Sequence, residues 1–275
     1  MKRLLILFIA AFCCIGILPI SANAEDPEII RFHFLSVGQA DCILLQTSDG
    51  KTVLIDSGNN AHAKDVLSYL KQHDIVAIDI LIATHPHHDH IGGMDEILEA
   101  FPVQTLYLPP LANKTRSYRN LTKAVAEQGT TVFEAKAGQT IRLDPDVRID
   151  VLAPLGKKYR VMNDYSLVLK VTHGENQFLL MGDAGKKSEE EMLNQDVKVK
   201  ADVMKIAHHG ANSATSNPFL DKVDPKYAVI SDANKFRFPS RKVIKKLKER
   251  DITIFRTDKE GTIIAVSDGE SIVFH

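Results

Sequence analysis

Six consecutive positions, His85 to His90, hold four histidines and one aspartate in the order His-Pro-His-His-Asp-His. Imidazole and carboxylate together are the ligand set of zinc, and of iron or manganese where more oxygen is present. The apolar run Ile78 to Ala83 just before them reads as a buried strand. In a loop leaving that strand, His85 and His87 can converge on one metal while Asp89 and His90 point to a second position beside it. A solvated loop rich in histidine by chance would not gather four of the chain's eleven histidines in this order. The stretch is a metal site on this reading, and Gly92-Gly93 lets the backbone pass close to it.

Three other places carry residue types suited to the same chemistry. Asp56 ends a strand over Thr52 to Asp56, where its carboxylate can accept a hydrogen bond from a liganding imidazole. Gly182-Asp183 terminates an apolar strand, a position from which a carboxylate can bridge two metals, although Gly-Asp alone is a common turn. His208-His209-Gly210 follows a strand over Asp202 to Ala207, which suits one ligand and one neighbour. His62 and His73 have no other ligand types nearby and are assigned to the surface.

His85-x-His87-x-Asp89-His90 resembles the signature of the metallo-β-lactamase superfamily. The likeness extends through Val37-Gly38-Gln39-Ala40-Asp41, Ile55-Asp56-Ser57-Gly58, Ser166-Leu167-Val168-Leu169, Met181-Gly182-Asp183 and Ala207-His208-His209-Gly210. That fuller set is similar to the hydrolase domain of DNA-internalisation competence proteins of the ComEC type and their free-standing relatives, and covers most of the chain after about residue 29. The resemblance implies an α/β fold, a four-layer αββα sandwich formed as a single domain. It also implies two divalent metal ions, zinc or manganese. His85 and His87 go to the first, Asp89, His90 and His208 to the second, and Asp183 bridges them. His209 then faces the substrate as a proton or hydrogen-bond donor, and Asp89 is counted with it as catalytic. The resemblance does not decide which of the paired histidines binds metal. Many members carry a third histidine before the strand that here begins at Ser166, whereas this chain offers Asn163-Asp164-Tyr165. Asp164 could replace it as an oxygen ligand, favouring manganese by hardness, or the first site could be the weaker one.

Such a centre with an open position lowers the pKa of its water toward about 7, and two metals about 3.5–4 Å apart can hold the resulting hydroxide between them. The expected activity is phosphodiester cleavage, by a phosphodiesterase or a nuclease acting on extracellular DNA. Hydrolysis of a lactone, β-lactam or thioester is the alternative enzyme reading. A non-catalytic binding module is a third, disfavoured because structural metal sites are usually closed and four-coordinate.

Positioning these groups requires strands feeding loops. Strands are expected over Ile29 to Leu35, Asp41 to Thr47 and Thr52 to Asp56, the last two around the hairpin signal Asp49-Gly50. Helices are expected over Lys64 to His73, Met94 to Ala100, a segment including Asn120 to Gln128 and ended by Gly129, Ser188 to Leu193, and one capped by Ser240 that runs to about Arg250. The last carries Arg241, Lys242, Lys245, Lys246, Lys248 and Arg250, read as a solvated face or a phosphate-backbone surface. Further strands alternate with these, and a closing hairpin turns at Asp268-Gly269.

The chain has 275 residues, 44% hydrophobic and 25% charged, enough for a sizeable core. Its net charge of −1 does not demand a polyanionic partner. Lys2 and Arg3, the uncharged run Leu4 to Ile20 and Ala22-Asn23-Ala24 together read as a secretory signal over residues 1–24, with the hydrolase domain over 25–275. The protein is therefore expected to be secreted, with no stable membrane partner after cleavage; an uncleaved membrane anchor is the alternative reading of the same run. Its mature form would retain Cys42 alone, as a small buried group.

Overall fold

Alternation decides the architecture. In the computed structural model, which describes residues 28–232 and 238–275, most strands send successive apolar side chains to opposite faces. The expected leader lies outside the described residues. The first half runs through β1 (Ile30–Phe34), β2 (Ile43–Thr47), β3 (Thr52–Ile55), α1 (Ala63–Gln72) and β4 (Ile78–Ile82). It continues with α2 (His88–Ile91), α3 (Met94–Ala100), β5 (Val103–Leu108), α4 (Arg116–Gln128) and β6 (Thr131–Glu134). The second half comprises β7 (Thr140–Arg142), β8 (Val147–Ala153), β9 (Val168–His173), β10 (Asn176–Leu180), α5 (Lys186–Asn194), β11 (Val203–Lys205) and α6 (Asn217–Val223). It closes with β12 (Tyr227–Ile230), α7 (Arg241–Lys248), β13 (Thr253–Arg256), α8 (Thr257–Glu260), β14 (Ile263–Ser267) and β15 (Ile272–Phe274).

Two mixed sheets result, in the orders β15-β14-β1-β2-β3-β4-β5-β6 and β13-β12-β11-β10-β9-β8-β7. Ile43 and Leu45, Val53 and Ile55, Leu169 and Val171, and Phe178 and Leu180 all point into the space between the sheets. Phe32 and Phe178 stack across that space with centroids 4.0 Å apart. The residues between them turn outward: Leu44 and Leu54 pack under α1, α3 and α4, and Leu179 packs with Met192, Phe219 and Val243 of α5, α6 and α7. Three apolar layers between four structural layers give the αββα sandwich. Among the described residues, no helix is long and apolar enough to cross a membrane.

The αββα sandwich expected from the sequence is thus present, with local differences. The strand expected to reach Ala207 stops at Lys205. Part of the metal loop coils into the single turn α2. The short helices α6 and α8 were not foreseen, because one to two turns do not establish a 3.6-residue period. His73 is half-buried, its ring packed on Tyr69 and His33, while Cys42 is buried.

Candidate metal centre

The parallel strands β3–β6 and β10–β13 deliver the candidate residues from their carboxyl ends, where open α/β sheets form their ligand crevices. Asp56 follows β3, Thr84 to His90 follow β4, Asp183 follows β10, and His208 and His209 follow β11. Gly92 lets the loop after α2 settle. A Cβ there would collide with the His88 carbonyl and lie 2.8 Å from Asn59 Cα. After β11 the chain turns through left-handed φ values of 50°, 51° and 80° at His208, His209 and Gly210, which sends the two imidazoles in different directions.

Two groups of ligand atoms converge. Asp89, His90, Asp183 and His209 form one, and His85, His87 and Asp183 the other, each with its atoms within 4.8 Å of one another. In the first, His90 Nε2 lies 3.3 Å from Asp183 Oδ1, and His209 Nε2 lies 3.6 Å from Asp89 Oδ2 and 3.7 Å from Asp183 Oδ1. Donors placed tetrahedrally at about 2.0–2.2 Å from a metal stand about 3.4 Å apart. In the second, His85 Nε2 is 2.9 Å from His87 Nδ1 and 3.7 Å from Asp183 Oδ2. Asp183 therefore turns one oxygen to each group.

Hydrogen bonds fix the tautomers. His90 Nδ1 donates to Asp56 Oδ2 at 2.7 Å, and His209 Nδ1 donates to the Ser231 carbonyl at 3.0 Å. Thr84 Oγ1 donates to Asp56 Oδ2 at 2.7 Å, leaving it to accept from His85 Nδ1 at 3.2 Å. Each of these rings thus turns its Nε2 toward its group. His90 Nε2, His209 Nε2 and Asp183 Oδ1 are buried without a hydrogen-bond partner. Unsatisfied buried atoms are costly, and a divalent cation would satisfy all three together. The donor set fits such a metal.

Electrostatics point the same way. Burial pushes the Asp183 carboxyl up, but His90, His209 and His85 outweigh it and hold it well below the usual carboxylate range. Burial keeps His85 and His87 below the usual imidazole value, hence neutral and ready to ligate. Burial also opposes charge on His90, yet Asp183 and Asp56 raise it well above that value. A cation bound there would displace the second proton from this ring.

The placement departs from three sequence expectations. His208, expected among the ligands of the second metal, is 30% exposed, with Nδ1 3.2 Å from Ser213 Oγ and Nε2 3.7 Å from Asp183 Oδ2. His209, expected to face the substrate, places its Nε2 with Asp89, His90 and Asp183 instead, because the left-handed turn directs its ring inward. Asp164 joins neither group: its Oδ1 accepts from Gly185 N at 3.1 Å. Its neighbour Asn163 reaches the centre, donating from Nδ2 to Asp183 Oδ2 at 3.0 Å. Sequence reasoning favoured the aspartate as the harder ligand and had no signal for which side chain the short turn would aim inward.

The basic helix α7 begins beside the centre, where Ser240 N donates to the Gly210 carbonyl at 2.9 Å and the Phe238 ring lies 5.9 Å from that of His208. Lys246 of α7 donates to the Thr215 carbonyl, Lys245 pairs with Glu249, and Arg250, just past the helix, pairs with Asp221. Arg241, Lys242, Lys245 and Lys248 are exposed.

Residues 35–231 match the family described as the Metallo-beta-lactamase superfamily. ComE operon protein 3 of Bacillus subtilis is 30% identical over 248 residues, covering 83% of this chain and 32% of that protein. Recombination protein 2 of Haemophilus influenzae is 30% identical over 239 residues, covering 83% and 28%. The chain thus spans about a third of the length of these curated relatives. Among solved structures, the metallo-beta-lactamase fold protein YhfI of Bacillus subtilis superposes with a TM-score of 0.60 at 14% identity, over 88% of this chain and all of that one. With the fold, the ligand groups and this match in agreement, the chain belongs to the metallo-beta-lactamase superfamily of metal-dependent hydrolases.

Proposed function

We propose that the chain is a secreted phosphodiesterase that cleaves nucleic acid with two divalent metal ions, zinc or manganese. The observation that carries this reading is the pair of ligand groups sharing Asp183, one oxygen to each. Metals bound there would supply activated water at neutral pH and charge to set against a phosphoryl oxygen. His85, His87, Asp89, His90 and His209 hold the ions on this reading, and Asp56 and Thr84 orient the rings. His208, partly exposed beside the centre, is placed to pass a proton from its imidazole to a leaving oxygen. Asn163 holds Asp183 Oδ2 from the opposite side.

Nucleic acid is favoured as substrate by two features. One relative is called a recombination protein and another, from Neisseria gonorrhoeae, a competence protein. The exposed cations of α7 also begin next to the centre. Secretion is supported by the charged, apolar and small-residue order of residues 1–24.

The test is a substrate panel with zinc or manganese: a chromogenic bis-phosphodiester, single- and double-stranded DNA, a lactone, a thioester and a chromogenic β-lactam. Replacing Lys242, Lys245 and Lys248 by glutamate is expected to weaken DNA cleavage at least about tenfold and to flatten its dependence on salt, since each lost phosphate contact removes about 0.7–0.9 from the logarithmic slope. The bis-phosphodiester should be cleaved as before. Equal loss on both substrates would make the helix structural and point to a small ester. Lactone or β-lactam turnover without phosphodiester cleavage would overturn the reading.

A further inference from the structure

Asp41 and Lys205 form an ion pair that neither ligand group contains. Lys205 Nζ stands 2.8 Å from Asp41 Oδ1 and 2.9 Å from Oδ2, and also donates to the Ile206 carbonyl at 3.3 Å. Lys205 is 0% exposed and Asp41 2%. A pair so deeply buried is commonly no more stabilising than apolar residues of similar volume, because desolvation offsets the attraction. Stability alone does not account for it.

Its place in the fold does. Asp41 precedes β2 in one sheet, where Asp41 N donates to the Asp89 carbonyl at 3.2 Å and the Asp41 carbonyl accepts from Gly58 N at 2.7 Å. Its backbone therefore grips the loop that carries Asp89 and His90. Lys205 ends β11 in the other sheet, four residues before His209. Asp41 Oδ1 also lies 3.6 Å from His209 Nδ1, the ring atom that donates to the Ser231 carbonyl. The ligands of the four-residue group come half from each sheet, so their spacing depends on how the sheets are held at this end.

We propose that Asp41 and Lys205 are positioning residues, an ionic clamp across the two sheets that sets the separation of Asp89 and His90 from His209 and thereby the affinity of that group for its metal. The inference rests on the metal-centre reading above. It concerns residues outside both ligand groups described above.

The experiment compares metal binding by the wild-type chain, by Asp41→Asn/Lys205→Met and by Asp41→Glu. Zinc affinity is read by competition with a chromophoric chelator, and ligand geometry by the visible spectrum of the cobalt-substituted protein. The double variant removes both charges together, so its metal-free form should melt within a few degrees of wild type. Its tightest zinc site should weaken about 10- to 100-fold, the loss typical of groups that orient ligands, with an altered cobalt spectrum. Asp41→Glu keeps both charges but advances the carboxylate by one methylene, and should shift affinity and spectrum in the same direction. It decides the question if the double variant does not fold. Unchanged zinc affinity and cobalt spectrum in the folded variants would overturn the clamp and leave the centre intact. A wild-type chain that bound neither zinc nor cobalt would overturn the centre and the clamp with it.

Discussion

Asp183→Ala is expected to empty both metal positions, with each affinity falling by more than about 100-fold. That figure is the upper range for losing a partner that merely orients a ligand, and Asp183 stands within reach of both groups through different oxygens. Removing it leaves His85 and His87 as a two-nitrogen pair and takes one member from the four around His90. The substitution also removes a buried charge from among four imidazoles, so circular dichroism must show that the sandwich persists. Elemental analysis of dialysed protein reads the outcome. Retention of two ions by a folded variant would show that the carboxylate does not bridge.

The second large effect separates two adjacent residues of the same type. His209→Ala should lower the metal content from two ions to one, because His209 Nε2 is a buried, unpartnered member of the four-residue group. His208→Ala should leave the metal content unchanged and lower kcat by about 10²–10⁴-fold, the usual contribution of a general acid. KM should move little, since the ring contributes a proton rather than a binding contact. The reverse pattern, with metal lost in His208→Ala and retained in His209→Ala, would restore the roles expected from the sequence.

That exchange of places marks where the sequence stops being informative. Much of the sandwich was legible: the apolar run Ile78 to Ala83 and the turn signal at Asp49-Gly50 depend on local chemistry alone. The helices over 63–72 and 94–100 lie within a residue of the expected bounds for the same reason. The hydrogen bond from His90 to Asp56 was also foreseeable, because a carboxylate ending the strand beside β4 has few other partners to meet. The fate of His208 against His209 depended on backbone dihedrals, which neither hydropathy nor spacing encodes. The choice between Asn163 and Asp164 depended on a single 3₁₀ turn at 162–165. The Asp41–Lys205 pair joins residues 164 apart in sequence, and no local pattern connects them.

The left-handed turn has one further consequence. Glycine adopts such φ values freely, but His208 and His209 each give up about 1–2 kcal/mol to hold them. With Asp56 at φ 57° after β3, the end of the sandwich that carries the ligand groups resembles a cocked spring. Chelation should let that spring relax locally while the stacked core around Phe32 and Phe178 stays closed. Amide hydrogens of residues 206–211 should then exchange markedly faster in chelated protein, with β9 and β10 unaffected, as peptide-resolved deuterium uptake would register. Uniform acceleration across the chain would mean that the whole sandwich loosens together. Under the local outcome, a metal ion enters by a brief opening at one end, and the protein can be recharged without ever unfolding.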